Sequence, residues 1–203
     1  MDSIEITIQR TGAATGVAAK YLARRDSKTA TICGCGNQGR ILLRALTKVL
    51  PIERARAWDR DQARAQNFAN ELAEDLGIDI EVVEDLQTAV TQSDVCVTCT
   101  PSKHAYLKRD FVSPGTFIAA VGSDNPEKQE LEPALLSGNK LVAEVLEQCA
   151  TIGELRHALD EGLITRESVY GELGEVVTGI KPGRTSNDEI SSLIQQEWHC
   201  KTL

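Results

Sequence analysis

The apolar residues of this chain change period near Thr29. Ahead of that point Ala14, Val17, Ala18, Tyr21 and Leu22 recur at helical spacing, which predicts a helix from about Thr7 to Arg24 with Thr7 as its N-cap. Ile4, Ile6 and Ile8 alternate, so a short strand is the competing reading of the first residues. Gly12 and Gly16, set among alanines, leave room for another element to lie against that helix. Asp26-Ser27-Lys28 closes residues 1–27 as a lead-in segment.

From Thr29 onward, short apolar runs alternate with longer amphipathic stretches. Strands are predicted at Thr29–Cys33, Arg54–Trp58, Ile80–Val83, Val95–Thr98, Thr116–Val121 and Lys140–Val142. Helices are predicted at Gln38–Leu50, with Leu42, Ala45, Leu46 and Val49 on one face, and at Arg60–Gly77, with Ala63, Phe68, Leu72 and Leu76. Shorter ones fall at Leu86–Gln92 and Pro133–Gly138. Near-continuously apolar strands joined by helical crossovers imply an α/β fold, a doubly wound parallel sheet with helices on both faces. That domain is expected over residues 28–150. Residues 151–203 are read as a helical segment, with helices near Gly153–Glu161 and Arg166–Thr178 and a polar loop at Lys181–Ser186.

Composition narrows the function. The chain has 203 residues, 22 Lys+Arg against 30 Asp+Glu, and a formal charge of -8. A nucleic-acid binder must neutralise phosphates with clustered cations, so that class is excluded as an expectation. No apolar run approaches the ~20 residues of a membrane span. Met1-Asp2-Ser3-Ile4-Glu5 lacks the basic and apolar regions of a secretory signal, and the expected location is cytoplasmic. With aromatics at 4%, the core must be aliphatic.

The strongest local signal is Gly34-Cys35-Gly36-Asn37-Gln38-Gly39, a G-x-G-x-x-G between a predicted strand and its helix. The first glycine permits the tight turn, the second lets backbone approach a pyrophosphate, and the third lets helix lie close to sheet. This is the fingerprint of a Rossmann-type dinucleotide domain. Asp59 follows the second strand, about 20 residues beyond Gly39, where a carboxylate accepts the ribose hydroxyls of NAD and repels a 2′-phosphate. Arg60 beside it is suited to that phosphate and pulls the other way, and on the strength of Asp59 NAD is expected ahead of NADP. Ligands in such sheets sit outside the carboxyl ends of the strands, which brings in Thr98-Cys99-Thr100-Pro101-Ser102 and Val121-Gly122-Ser123-Asp124-Asn125-Pro126. Asp124 is read as either a functional carboxylate or a turn former before Asn-Pro.

The six cysteines point elsewhere than to metal or disulfides. Cys96 and Cys99 form a C-x-x-C in a predicted strand, where side chains three apart lie on opposite faces. No second C-x-x-C or His pair completes a zinc site, so no metal is expected and the cysteines are assigned to the core. Of the histidines, His104 follows a strand end, His157 sits on an apolar helix and is read as structural, and His199 lies in the tail.

These segments together resemble the ornithine cyclodeaminase/μ-crystallin family. The likeness runs from Met1 to about Ile190, through Arg10-Thr11-Gly12-Ala13-Ala14, Gly34 to Gln38, Gly122 to Leu131, Gly171 to Val176 and Lys181 to Thr185. The resemblance implies that Asn37 and Gln38, beside the motif's Gly34, Gly36 and Gly39, face the pyrophosphate, that Asp59, with Arg60 next to it, faces the adenine-side ribose, that Thr100 faces the nucleotide near its nicotinamide half, and that Val121, Gly122 and Ser123 line the nicotinamide. It assigns Arg10 to a substrate carboxylate, Lys128 to a basic position in the site, and Asp124 to proton transfer or water activation. The implied chemistry is NAD-dependent oxidation of an amino acid to an imine, with conversion of L-ornithine to L-proline and ammonia as the leading case. Alanine dehydrogenase, ketimine reductase, or a dinucleotide-binding module without turnover are the alternatives. The expected partner is a small amino acid or imine, with homo-oligomers possible. Two departures from the family pattern are expected: the lack of the N-terminal substrate and dimerisation lobe that family members carry ahead of the segment matching Met1, and a diverged tail after Ile190.

Overall fold

The structure is a computed structural model and describes residues 3–196. It opens with α1 (Ser3–Leu22), so Thr7 is an interior residue of the helix and not its cap. The helical period of the following residues prevails over the Ile4/Ile6/Ile8 alternation. Strands β1 (Thr29–Cys33), β2 (Arg54–Trp58), β3 (Asp79–Val82), β4 (Val95–Thr98), β5 (Phe117–Ala120) and β6 (Lys140–Ala143) fall within one or two residues of expectation. Between them lie α2 (Asn37–Val49), α3 (Gln62–Leu76) and α4 (Leu86–Thr91). Asp61 and Asp85 cap α3 and α4 by accepting the Arg64 and Thr88 amides, and Gly77 ends α3 in the left-handed conformation. Among the described residues no helix is long and apolar enough to cross a membrane.

Beyond residue 150 the expectation of a purely helical segment is corrected. After α5 (Leu146–Cys149) and α6 (Glu154–Asp160), the stretch expected as one helix over Arg166–Thr178 divides. It becomes a 3-10 turn at Arg166–Ser168, a two-residue strand β7 (Gly171–Glu172) and a short α7 (Leu173–Val177). Glu172 explains the break: its side chain and that of Glu175 form a capping box, starting a new helix where a continuous one was expected. The expected diverged tail supplies β8 (Ser191–Ile194), buried along its whole length. The sheet is all parallel, in the order β3-β2-β1-β4-β5-β8-β6-β7, so β8 fills the gap between β5 and β6 and the sheet runs across residue 150. Residues 197–203, including His199, lie outside the described residues.

Gly12 and Gly16 do what their size suggested. A side chain at Gly12 would run into Ile41 of α2, and one at Gly16 would touch Ala45 at 3.4 Å. The glycines therefore let α2 lie close against α1, and Ala18, Ala19 and Leu22 of α1 are fully buried. At the far end of α1, Arg184 donates to Leu22 O at 2.7 Å, to Glu189 O at 2.6 Å and to Ser191 Oγ at 3.0 Å, fastening the helix and β8 to the polar loop. The sheet separates two apolar cores, one including Ile32, Leu42, Leu46, Phe68 and Phe117, the other Leu107, Ile118, Leu131 and Leu135. Cys33, Cys35, Cys96 and Cys149 are buried in these layers, and Cys99 falls just beyond β4 instead of within it.

Candidate active site

The strand register places Cys33, Trp58, Thr98, Ala120, Ile194 and Ala143 in one row across the sheet. Everything immediately after that row belongs to a single edge: the glycine loop, Asp59, Thr100, residues 121–124, Gln195 and Glu144. The sheet reverses direction of winding between β1 and β4, where a doubly wound fold opens its crevice.

The three loop glycines answer to three different constraints. Gly34 has φ +107°, and a side chain there would stand 2.8 Å from Cys99 O and 3.1 Å from Thr100 Cγ2. Gly39 lies against Gly34 O, which a side chain would overlap. Gly36 has φ -82°, and a methyl group there would meet nothing within 4 Å, so the folded chain itself does not require glycine at this position. Space left open beside a helix start is what a close-approaching pyrophosphate needs. Gly36 offers no side chain to cap α2, leaving the first-turn N–H groups for an anion. The Gln38 amide atoms are buried without a protein partner among the described residues, and Asn37 is exposed beside them. Asp59 Oδ2 accepts the Cys35 amide at 2.9 Å and Oδ1 accepts that of Asp61 at 2.9 Å, which ties the glycine loop to the end of β2. Arg60 is exposed next to it. This donor set and cradle fit a dinucleotide. Burial and the Asp59 charge push the Cys35 thiol to about 12, so this sulfur in the loop stays protonated.

On the β4 and β5 side, Glu130 is the residue that sequence reasoning missed. Its carboxylate is fully buried and accepts from Thr100 N at 2.6 Å, Thr100 Oγ1 at 2.7 Å, Tyr106 OH at 2.8 Å and Gly122 N at 2.9 Å. Burial raises this carboxyl above its ordinary value, and the donated bonds pull the other way. A side chain at Gly122 would collide with that carboxylate and stand 2.6 Å from Thr100 O. Glycine is needed there for space, not for backbone freedom. Val121 is wholly buried, and the Ser123 hydroxyl donates to Lys128 O at 2.6 Å, so both shape the loop from beneath. Glu130 follows Gly122 with no period or local motif to mark it, and only its inclusion in the Gly122–Leu131 segment pointed that way.

The expected chemical residues come together in part. Lys128 Nζ meets Asp124 Oδ1 at 2.7 Å, with the Asp124 side chain 9% exposed. Below them His157 Nε2 lies 2.8 Å from Lys128 O, which gives this histidine the structural role expected of it. Glu154, also buried, accepts the Glu130 and Leu131 amides at 2.7 and 3.1 Å. Burial and the neighbouring Glu130 charge raise its carboxyl to about 8. Arg10 reaches the same edge from α1, where its guanidinium meets Glu144 Oε1 at 2.7 Å and Gln196 O at 3.4 Å. Burial raises the Glu144 carboxyl, with Arg10 opposing. His104 is exposed, in a turn with Ser102.

Comparison with known proteins points to one family. The family model described as the ornithine cyclodeaminase/mu-crystallin family matches residues 1–193. The alanine dehydrogenase of Archaeoglobus fulgidus is 41% identical over 191 residues, covering 94% of this chain and 58% of its own. Among solved structures, the Thermococcus litoralis Delta(1)-pyrroline-2-carboxylate reductase, in complex with NADH and L-proline, superposes with a TM-score of 0.94. Its identity is 36%, and the match covers 97% of this chain and 61% of that one. An archaeal alanine dehydrogenase dimer with bound NAD gives a TM-score of 0.92 at 40% identity, covering 97% of this chain and 61% of that one. The chain thus spans about three-fifths of the length of the relatives it matches.

Proposed function

The chain belongs to the ornithine cyclodeaminase/mu-crystallin family, and we propose that it forms the NAD-binding half of an active site acting at the α-carbon of an amino acid or its imine. The observation that carries this reading is the shared edge: the glycine loop and Asp59 follow the same row of strand ends as Asp124–Lys128 and as Glu144, which Arg10 meets from α1. NAD, when bound, supplies the hydride acceptor, and NADH the donor. Asp59 serves the adenine-side ribose and favours NAD over NADP. The first turn of α2, with Gly36, Asn37 and Gln38, takes the pyrophosphate.

Around the reacting carbon, Arg10 holds the substrate carboxylate with the donors that Glu144 and Gln196 O leave over. Asp124 removes a proton from the attacking nucleophile, water in a dehydrogenase and a side-chain amine in a ring-closing deaminase. Lys128 fixes the orientation of that carboxylate. Because an alanine dehydrogenase and a pyrroline-2-carboxylate reductase stand among its similar proteins at 36–41% identity, we put oxidation of a small amino acid, or reduction of its imine, first. Ring-closing deamination of L-ornithine comes second, as the family's other reaction type. Homo-oligomers are in keeping with the dimeric relative.

The test has two stages. Titration with NADH and NADPH, followed by fluorescence, is expected to show binding with NADH preferred. Turnover is then assayed with L-alanine and NAD, with a cyclic imine and NADH, and with L-ornithine. Binding of neither dinucleotide would refute the reading altogether, and binding without turnover on any substrate would reduce the chain to a dinucleotide-binding module.

A further inference from the structure

We infer that Glu130 is a positioning residue for the nicotinamide side of the crevice: its buried carboxylate holds Thr100, after β4, and Gly122, after β5, at a fixed separation. The inference rests on the reading of this edge as a dinucleotide site. The ladder between β4 and β5 ends at the pair Thr98↔Ala120. Past it, Val121 N and Gly122 N both return to Thr98 O, at 2.9 and 3.1 Å, so among the described residues the main chain gives Thr100 no partner on the β5 side. Glu130 supplies one. Oε1 gathers Thr100 N, Thr100 Oγ1 and Tyr106 OH, while Oε2 takes Gly122 N.

Backbone N–H groups can only donate, and one faces each carboxylate oxygen. An amide in place of the carboxylate must therefore turn its NH2 against a donor, at Thr100 or at Gly122. At Thr100 that leaves a buried donor unpaired, and at Gly122, whose N–H keeps Thr98 O, it sets two donors face to face, so in either case the loop end shifts. The shift falls on the nicotinamide side of the crevice, because Thr100 and Gly122 stand just past the ends of β4 and β5. Glu130 is itself held on all sides. Its amide donates to Glu154, and its carbonyl accepts from the Tyr106 and Leu107 amides at 2.9 and 3.0 Å. Tyr106 in turn stacks on Trp58 with ring centroids 5.1 Å apart, beside Asp59. The network thus joins the end of β2 to the ends of β4 and β5.

The experiment compares NADH with ADP-ribose, which carries the pyrophosphate and both riboses but no nicotinamide, on the wild type, Glu130→Gln and Tyr106→Phe. Glu130→Gln is expected to weaken NADH about tenfold, the scale of one lost hydrogen bond to a charged group. ADP-ribose should stay within about twofold, and Tyr106→Phe should show the same selectivity with a smaller loss, about threefold. Equal losses for both ligands would make Glu130 a merely structural residue and overturn the inference, as would unchanged NADH affinity. If Glu130→Gln does not fold, Tyr106→Phe decides by the same selectivity. Wild type that binds neither ligand refutes the dinucleotide reading itself, an outcome distinct from a variant that loses no selectivity.

Discussion

Arg10 of α1 and Glu144 at the end of β6 meet at 2.7 Å, joining the first helix of the chain to the far half of its sheet. The arginine is 39% exposed at its side chain, so the pair adds little stability, and its consequence is the aim of the guanidinium. Arg10→Met is expected to lower kcat/KM for the amino acid or imine by about tenfold to a hundredfold, the range of a lost charged hydrogen-bond pair. NADH affinity should stay within about twofold. Steady-state kinetics beside an NADH titration checks it, and a loss confined to NADH would remove Arg10 from the substrate side.

Two glycines of the same crevice should respond in opposite ways. Gly122→Ala forces a methyl group against Glu130 and is expected to cost about 1–3 kcal/mol, lowering Tm by roughly 3–10 °C. Gly36→Ala meets nothing within 4 Å and should leave Tm unchanged while weakening NADH about tenfold or more. Thermal unfolding and NADH titration of both variants separate the glycine that the fold needs from the glycine that the ligand needs.

Asp59 has two roles to lose. Its carboxylate holds the Cys35 and Asp61 amides, and in the proposed site it also meets the ribose. Asp59→Ala is expected to weaken NADH several-fold, about tenfold where one charged hydrogen bond is lost outright, and to narrow the preference over NADPH. Unchanged affinity would leave Asp59 as a residue that only shapes the turn.

Glu154 predicts a pH dependence of stability. Its carboxyl titrates near 8 when folded and near the ordinary 4.5 when unfolded, so between these values the folded state holds the extra proton. The stabilisation is complete below about 4.5 and is lost as pH rises through 8. The Tm advantage of wild type over Glu154→Gln should therefore be largest near pH 5 and shrink by a few degrees towards pH 8.5. An advantage that grows with pH would show that Glu154 is ionised in the folded protein.

Much of this molecule follows from its sequence alone. Alternating apolar runs and amphipathic stretches determined β1 to β6 and the helices between them, because burial on two faces of a parallel sheet demands that pattern within each element. Gly34 and Gly39 were legible because a tight turn and the close approach of helix to loop restrict which residues can stand there. Gly12 and Gly16 announced a close crossing, though not that α2 would be the partner. What only the tertiary structure decided was pairing between distant segments. Ser191–Ile194 carries two serines and reads as a divergent tail, yet it is buried between β5 and β6, where the ladders satisfy its backbone groups. Glu130, a charged residue with no period to mark it, is tolerable in the core only because four donors from Thr100, Tyr106 and Gly122 converge on it. That convergence depends on distances between loops far apart in the chain, and no local pattern of residues encodes it.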